Sequence, residues 1–192
     1  MPFPPLDGRG LSRHPLNDTL GLKLPSMPSA ADRLIDSFVF KLESRGVRIE
    51  KADNTALVHK LEEGLPRRLP QSFGSFLSRF SFSAFDAGGI TFPGWESSSS
   101  EIFKVLPPNK GELSELLLPA GYIQIGRPDT GSFDAICFDT NMPKQNREYR
   151  LVRADHEEVL CNCRVKIVAE LWPSFADLAE FCDINTISPD RA

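Results

Sequence analysis

Cysteine and histidine are the side chains of this sequence that most readily bind metals or act in catalysis, and three of them fall close together. They are His156, Cys161 and Cys163. Zinc prefers thiolate and imidazole ligands, but a closed structural site needs a fourth ligand and usually has about two to four residues between paired cysteines. We therefore favour a turn in which the two cysteines lie on either side of Asn162, and we expect no metal and no cofactor.

Nucleophilic catalysis needs a serine or cysteine with a base within reach. The histidines are His14 near the N-terminus, His59 on a predicted helix and His156 in an acidic turn, and no Gly-x-Ser-x-Gly motif accompanies them. The adjacent carboxylates at 62–63 and 157–158 do not converge on a helix and favour a solvated surface. The sequence favours a protein that is not an enzyme, with a hydrolase or metal enzyme as an alternative that metal analysis would test.

A pair of glycines, Gly126 and Gly131, has the spacing of a phosphate-binding loop. The lysine that follows the second glycine in such loops is replaced by Ser132. Together with Pro128 and Asp129, these glycines are typical of a tight turn between two strands. We therefore predict a hairpin here and no nucleotide.

Charge excludes one class of partner and indicates another. The 192 residues include 22 Lys and Arg and 26 Asp and Glu, a formal net charge of −4. Nucleic-acid-binding domains need a basic surface, so this balance argues against nucleic acid as a partner. Residues 129–192 contain 7 basic and 12 acidic residues, a net charge of −5. A partner steered to this part of the chain should therefore be basic.

The candidate partner-binding residues are acidic side chains of this region and one tryptophan. They are Trp95, Asp134, Asp139, Asp155, Glu157 and Glu158. Trp95 follows a Pro-Gly pair and precedes a serine-rich stretch, so it either anchors a loop or lies exposed as an interface anchor, where tryptophan is enriched. Asp134 and Asp139 are five residues apart on one predicted strand and should face opposite sides of it.

Hydrophobic periodicity predicts helices first. The capping pair Ser29 and Asp32 begins a helix that ends at Gly46, a second helix covers about 54–63, and Pro70 occupies the first turn of a third. The third helix has its large apolar residues at helical spacing on one face: Phe73, Phe76, Leu77 and Phe80. This stripe is typical of core packing.

Strand patterns follow, with a short helix over 110–117 between them and a C-terminal helix at the end. The predicted strands cover 82–85, 90–92, 102–106, 122–125, 132–139, 149–153 and 164–171. The last strand should direct Val165, Ile167, Ala169 and Leu171 to one side. Ser174 and Asp177 cap the final helix. This order predicts an α+β fold, with a mixed, mainly antiparallel sheet on which the helices pack.

The chain divides into three parts. Residues 1–28 contain six prolines and no sustained period, which predicts an irregular arm. Residues 29–183 should form a single domain, and residues 184–192 a C-terminal tail. No run reaches the roughly 18 apolar residues of a membrane span, and the N-terminus lacks the pattern of a signal peptide. We expect a cytoplasmic protein without membrane contacts, whose four cysteines are thiols, mostly buried.

Several motifs occur in a fixed order over residues 54–183. They are the helix 57–69 leading into Leu69-Pro70-x-x-Phe73-x-x-Phe76-Leu77, then Gly88-Gly89, Trp95, Tyr122-Ile123-Gln124-Ile125-Gly126, Gly131-x-Phe133-Asp134-Ala135-Ile136-Cys137-Phe138-Asp139, and 165–171 running into Ser174-Phe175-x-x-Leu178. The ordered set resembles the SUKH superfamily, which includes bacterial toxin-immunity proteins and fungal cell-wall synthesis regulators. The resemblance implies a mixed sheet with helices packed on it and a protein that binds rather than catalyses.

Two functions follow from this resemblance. The first is an immunity protein that binds and neutralises a cognate bacterial toxin, whose basic active site an acidic surface would attract and occlude. The alternative is a regulatory scaffold or signalling adaptor that binds a host protein through the proline-rich arm, as fungal relatives bind signalling partners. Deletion of residues 1–28 distinguishes the two, because loss of partner binding with an intact fold favours the scaffold.

Overall fold

The computed structural model describes residues 29–95 and 112–189. The helices of this part are α1 (Ala30–Ser44), α2 (Thr55–Glu63), α3 (Gln71–Arg79), α4 (Glu112–Leu117), α5 (His156–Asn162) and α6 (Phe175–Phe181). The strands are β1 (Ile49–Lys51), β2 (Phe80–Phe82), β3 (Phe85–Ala87), β4 (Ile90–Phe92), β5 (Tyr122–Pro128), β6 (Ala135–Asp139), β7 (Leu151–Ala154), β8 (Ile167–Trp172) and β9 (Ser188–Pro189). Among these helices none has the length and apolar character needed to cross a bilayer.

The strands form an antiparallel sheet of seven, in the order β8-β7-β6-β5-β4-β3-β9, and a separate antiparallel pair, β1-β2. Each neighbouring pair in the described residues is antiparallel, and the pairs β3–β4 and β5–β6 are hairpins, whereas β9 joins β3 from a distant part of the chain. The α+β fold class predicted from the order of elements is confirmed.

The large sheet carries hydrophobic cores on both of its faces. Successive strand residues point to opposite faces, and along β6 the pair Ile136 and Phe138 joins the larger core whereas Ala135 and Cys137 join the smaller one. The larger core contains buried residues of α1, α2, α3 and α6, and the smaller core contains residues of α4 and α5. Because both faces are covered, β6 is apolar up to its last residue.

Phenylalanine dominates the larger core. The ring of Phe76 stacks on Phe82 at 4.6 Å between centroids, and Phe175 meets Phe73 edge-on at 4.9 Å. Burial of one such side chain contributes about 2–3 kcal/mol from removal of apolar surface, and edge-on pairs add about 0.5–1.5 kcal/mol. The predicted aromatic stripe is thus confirmed as core packing, but Phe80 begins strand β2 rather than continuing helix α3.

Local signals explain where the N-terminal helices begin. The Ser29 hydroxyl accepts a hydrogen bond from the backbone N–H of Asp32, and the Asp32 carboxylate accepts one from the backbone N–H of Ser29. This capping box confirms the predicted start of α1. Pro70 lies at the N-cap of α3, one residue before the predicted position, and the helix begins at Gln71.

Strand β8 departs from the simple alternation that its sequence suggests. Its register with β7 shifts twice, first between Leu151 and Val152 of β7 and again between Arg153 and Ala154. Each shift inserts an extra residue and turns the following side chains to the other face. As a result Ile167 packs on the smaller core and Leu171 on the larger one. The prediction that the two point the same way is wrong.

Two other segments differ from the sequence expectation. Residues 156–162, expected as an acidic turn, form α5. Residues 184–189, set apart as a tail, contain a short 3-10 turn and β9, which pairs with β3, and Ile187 is only 1% exposed. The packed part of the chain therefore extends to Pro189. The predicted arm at 1–28, the serine stretch 97–100 and the predicted strand 102–106 lie outside the described residues.

Candidate functional site

Trp95 lies in the interior. Its side chain is 1% exposed, and the indole Nε1–H donates a hydrogen bond of 2.8 Å to the Leu77 carbonyl oxygen at the end of α3. Its backbone pairs with Phe82 in both directions. The hypothesis of an exposed interface anchor at Trp95 is therefore wrong, and the loop-anchoring role is the one observed.

Asp139, at the end of β6, is also buried and is held by an arginine. Arg150 donates from Nε and Nη2 to Asp139 Oδ2 at 3.0 and 2.7 Å, and Asn141 donates from its backbone and side-chain nitrogens to Oδ1. Charge and lone pairs are both satisfied within the protein. Asp139, 1% exposed, is not available to a partner, contrary to the sequence prediction.

Asp134 lies just before β6 and is bound by two basic side chains. Arg153 Nε donates to Oδ2, while the backbone N–H and the Nδ1 atom of His156 lie 3.1 and 2.9 Å from Oδ1. Burial raises the pKa of Asp134, but the hydrogen bonds from His156 and Arg153 outweigh this and lower it to about 2. The carboxylate is 6% exposed, so the prediction that it faces a partner is wrong as well. Arg153 lies on the face of β7 that bears the larger core. Asp134, which binds Arg153, therefore faces the opposite side of the sheet from Asp139, as predicted.

Asp155 is the N-cap of α5. Its Oδ1 accepts hydrogen bonds from the backbone N–H groups of Glu157 and Glu158, at 3.1 and 3.2 Å, and its Oδ2 lies 3.5 Å from Lys166 Nζ. Acidic residues in a first helical turn are stabilised by the helix dipole, which gives this acidic run a local structural role. Asp155 followed three residues later by Glu158 is a capping pattern, and this signal would have predicted the helix.

Asp134, Asp155 and His156 have ligand atoms within 4.8 Å of one another, the spacing of a metal site. However, Arg153 and Lys166 already bind the two carboxylates. Two cations beside the cluster oppose a third, so these residues do not fit a metal ion. The two cysteines considered above are exposed and are not part of this cluster.

The cysteines divide evenly rather than being mostly buried. Cys137 and Cys182 are buried, and burial raises the pKa of both thiols. Cys161 lies in the last turn of α5, and Cys163 caps the helix in the left-handed conformation with φ of 49°. The predicted turn around Asn162 is thus the end of a helix.

Phe133, the residue before Asp134, is an aromatic side chain exposed to solvent. Its ring is 66% exposed, lies 6.0 Å from the His156 ring and has the Arg127 guanidinium 5.7 Å from its centroid. The sequence predicts a strand over 132–139 that includes Phe133, but the strand begins at Ala135. The Ser132 hydroxyl accepts a hydrogen bond from the Asp134 backbone N–H, which prolongs the turn. We call Phe133, Arg127, His156 and Glu157 the Phe133 surface.

A concave region lies at the other end of the β5–β6 hairpin. It is a cleft of about 810 Å³ that we call the arginine cleft, lined by Pro66, Arg67, Arg68, Pro119, Gly121, Thr140, Asn141, Pro143, Arg147 and Tyr149. Sequence reasoning did not identify it. The adjacent arginines at 67–68 between two prolines were a visible signal, but their association with Arg147 depends on the fold.

Comparison with known proteins leaves the family open. No protein-family model matches the chain, and no curated protein matches it either. The resemblance to the SUKH superfamily therefore remains a prediction, and the function has to be inferred from the geometry.

Proposed function

We propose that this protein is a non-catalytic protein-binding domain that acts in the cytoplasm as an immunity protein, neutralising a bacterial toxin by binding it through the Phe133 surface. The observation that carries the proposal is Phe133 itself. A phenylalanine that is 66% exposed beside acidic residues leaves apolar area in water that a partner would bury.

The neighbours of Phe133 suit an interface. Arg127 and His156 lie beside the ring and place polar groups around an apolar centre. Aromatic anchors surrounded by polar groups are the usual form of a binding hot spot. Phe133 thus takes the role that the sequence hypothesis had given to Trp95.

The charge of the Phe133 surface is balanced rather than acidic, because the exposed side chains of Arg127 and Glu157 carry opposite charges. Asp134 and Asp155 are bound by Arg153 and Lys166. Glu157 is exposed, and no described residue forms an ion pair with it. We therefore assign most of the affinity to apolar contact at Phe133, with Glu157 as the exposed acidic side chain that would pair with a basic residue of the toxin.

Co-purification of the chain from its source cells tests this proposal. We expect the parent protein to capture a multidomain protein whose C-terminal domain is toxic when expressed alone, and to suppress that toxicity on co-expression. Phe133→Ala should weaken the complex about 30-fold or more, the loss typical of a hot-spot residue, and should abolish the protection.

Phe40→Ala is the matched control, because Phe40 is 70% exposed on α1. It removes the same apolar area elsewhere and should leave binding and protection unchanged. Both substitutions are at exposed positions and should change the free energy of unfolding by less than about 0.5 kcal/mol. Protection that survives Phe133→Ala, or a captured partner without toxic activity, contradicts the proposal.

A further inference from the structure

The arginine cleft contains three guanidinium groups that form no ion pair within the described part of the chain. Arg67, Arg68 and Arg147 are exposed, and none of them forms an ion pair with a carboxylate of residues 29–95 or 112–189. Arg150 and Arg153, in contrast, bind Asp139 and Asp134. The chain has a net charge of −4, so three arginines that lie in one cleft without an ion pair in the described residues form a local positive region. Such a region attracts an anion.

Two carboxylates close to the cleft, Glu148 and Glu62, make hydrogen bonds within the protein. Glu148 binds the backbone N–H and the hydroxyl of Ser72 at the start of α3, with both distances at 2.9 Å. Glu62 accepts a hydrogen bond of 3.0 Å from the Leu69 backbone N–H. These contacts position the segments next to Arg147 and Arg68, and neither carboxylate is within ion-pair distance of an arginine of the cleft.

Arg147 is held in the cleft by an unusual backbone conformation. Asn146 and Arg147 are both left-handed, with φ of 58° and 56°, and arginine rarely adopts this conformation. The turn is closed by backbone hydrogen bonds of Glu148 with Lys144 and Gln145. Strain of this kind persists only where surrounding contacts impose it, and it concentrates at functional sites.

The other lining groups limit what the ligand is. The Thr140 hydroxyl and the Asn141 amide donate to the carbonyl oxygens of Gly121 and Ala120, so they support the wall of the cleft. Tyr149 is buried and presents no free ring face on which a nucleobase would stack. Recognition therefore depends on the guanidinium groups, whose fork of N–H donors matches the oxygens of phosphate.

We propose that the arginine cleft binds a small anion with two or more phosphate groups. A single phosphate is much smaller than a cleft of about 810 Å³, and three arginines have donors for several phosphate groups at once. The site is separate from the Phe133 surface, because Asp134 precedes β6 and Thr140 follows it, at opposite ends of the strand. Failure of one proposal therefore leaves the other unaffected.

Calorimetric titration of the full chain with sodium tripolyphosphate at low ionic strength tests this site, since salt screens exposed charges. We expect saturable binding of about one anion per chain. Replacement of one arginine, as in Arg147→Ala, should weaken it about tenfold, the loss of one charged hydrogen-bonding group. The triple variant Arg67→Ala, Arg68→Ala, Arg147→Ala should show no binding.

Two controls make the result decisive. Arg164→Ala removes an exposed arginine that does not line the cleft and should bind tripolyphosphate as the parent does. Citrate has a similar charge but carboxylate groups, and it should bind at least about tenfold more weakly than tripolyphosphate. No saturable binding by the parent, equal binding by the folded triple variant, or tighter binding of citrate would overturn the assignment.

Discussion

The two aspartates at the ends of β6 show how a neighbouring strand decides what a carboxylate does. Arg150, opposite Asp139 across the β6–β7 ladder, binds its carboxylate, and Arg153 binds that of Asp134. A buried carboxylate is tolerated only with such compensation. Neither aspartate contributes free negative charge to the surface; both fasten β6 to β7.

Asp139→Asn is expected to destabilise the protein by about 2–3 kcal/mol, because it removes a buried carboxylate that accepts hydrogen bonds from Arg150 and Asn141. Glu170→Gln removes the other carboxylate bound to Arg150, and the Glu170 side chain is half exposed. It should cost less than about 1 kcal/mol, as is usual for exposed ion pairs. Urea unfolding of both variants measures the difference. Equal losses would show that the buried pair has no special role.

The candidate site could be predicted from the sequence only in part, and the reason lies at this scale. The sequence indicated the acidic residues around 134–158, and the structure brings Asp134, Asp155 and Glu157 near one another at the start of α5. The sequence could not indicate that Arg153 binds Asp134 and Lys166 binds Asp155, because those ion pairs depend on strand register. For the same reason, the burial of Trp95 and the exposure of Phe133 could not be predicted from residue type.

Among the elements, the contact between β4 and β5 connects the two halves of the large sheet. It consists of two paired positions, Ile90 with Pro128 and Thr91 with Arg127. Gly126, next to this contact, lies so close to the Thr91 carbonyl oxygen that a Cβ atom would overlap it. The register of β5 also shifts between Gln124 and Gly126 in its pairing with β6. A glycine is required here by the close approach of two backbones.

Gly126→Ala should therefore destabilise the protein by about 1–3 kcal/mol, the usual range for overpacking in a rigid site. Gly74→Ala is the matched control, since no atom lies within 4 Å of the added Cβ and the residue is inside α3. It should stabilise the protein by about 0.4–1 kcal/mol, because alanine has less backbone freedom in the unfolded chain. Thermal unfolding gives both signs, and a neutral Gly126→Ala would contradict the close-packed contact.

Elements with strong local signals were predictable, and those set by tertiary pairing were not. Helices α1, α2 and α3 have caps, helical stripes or terminal glycines in the sequence, and each lies within two residues of its predicted bounds. Helix α5 has only seven residues, one of them buried, so the Asp155 and Glu158 capping pattern marks its start but no periodic stripe marks its length. The bulges of β8 and the pairing of β9 with β3 depend on partners distant in sequence.

At the scale of the whole molecule, acid stability follows from how the carboxylates are used. Hydrogen bonds, mainly from Ser29, lower the pKa of Asp32 below the ordinary value of 3.8. Hydrogen bonds from His156 and Arg153 outweigh the effect of burial and lower the pKa of Asp134 to about 2. A carboxylate with a lowered pKa in the folded state binds fewer protons than it does in the unfolded chain. Its contribution to stability is complete above the unfolded pKa and is lost as the pH falls towards the folded pKa.

The free energy of unfolding should therefore decrease as the pH falls from about 5 to 2, and Asp134 alone should account for about 2 kcal/mol of the loss. Asp134→Asn removes this titration, so its unfolding free energy should fall less steeply with pH than that of the parent over the same range. Asp129→Asn, at an exposed position in the β5–β6 turn, should retain the parent's slope. Urea unfolding at several pH values measures all three. An Asp134→Asn variant as acid-sensitive as the parent would show that the bonds from Arg153 and His156 do not set the pKa of this carboxyl group, and the acid loss would then have to arise elsewhere in the chain.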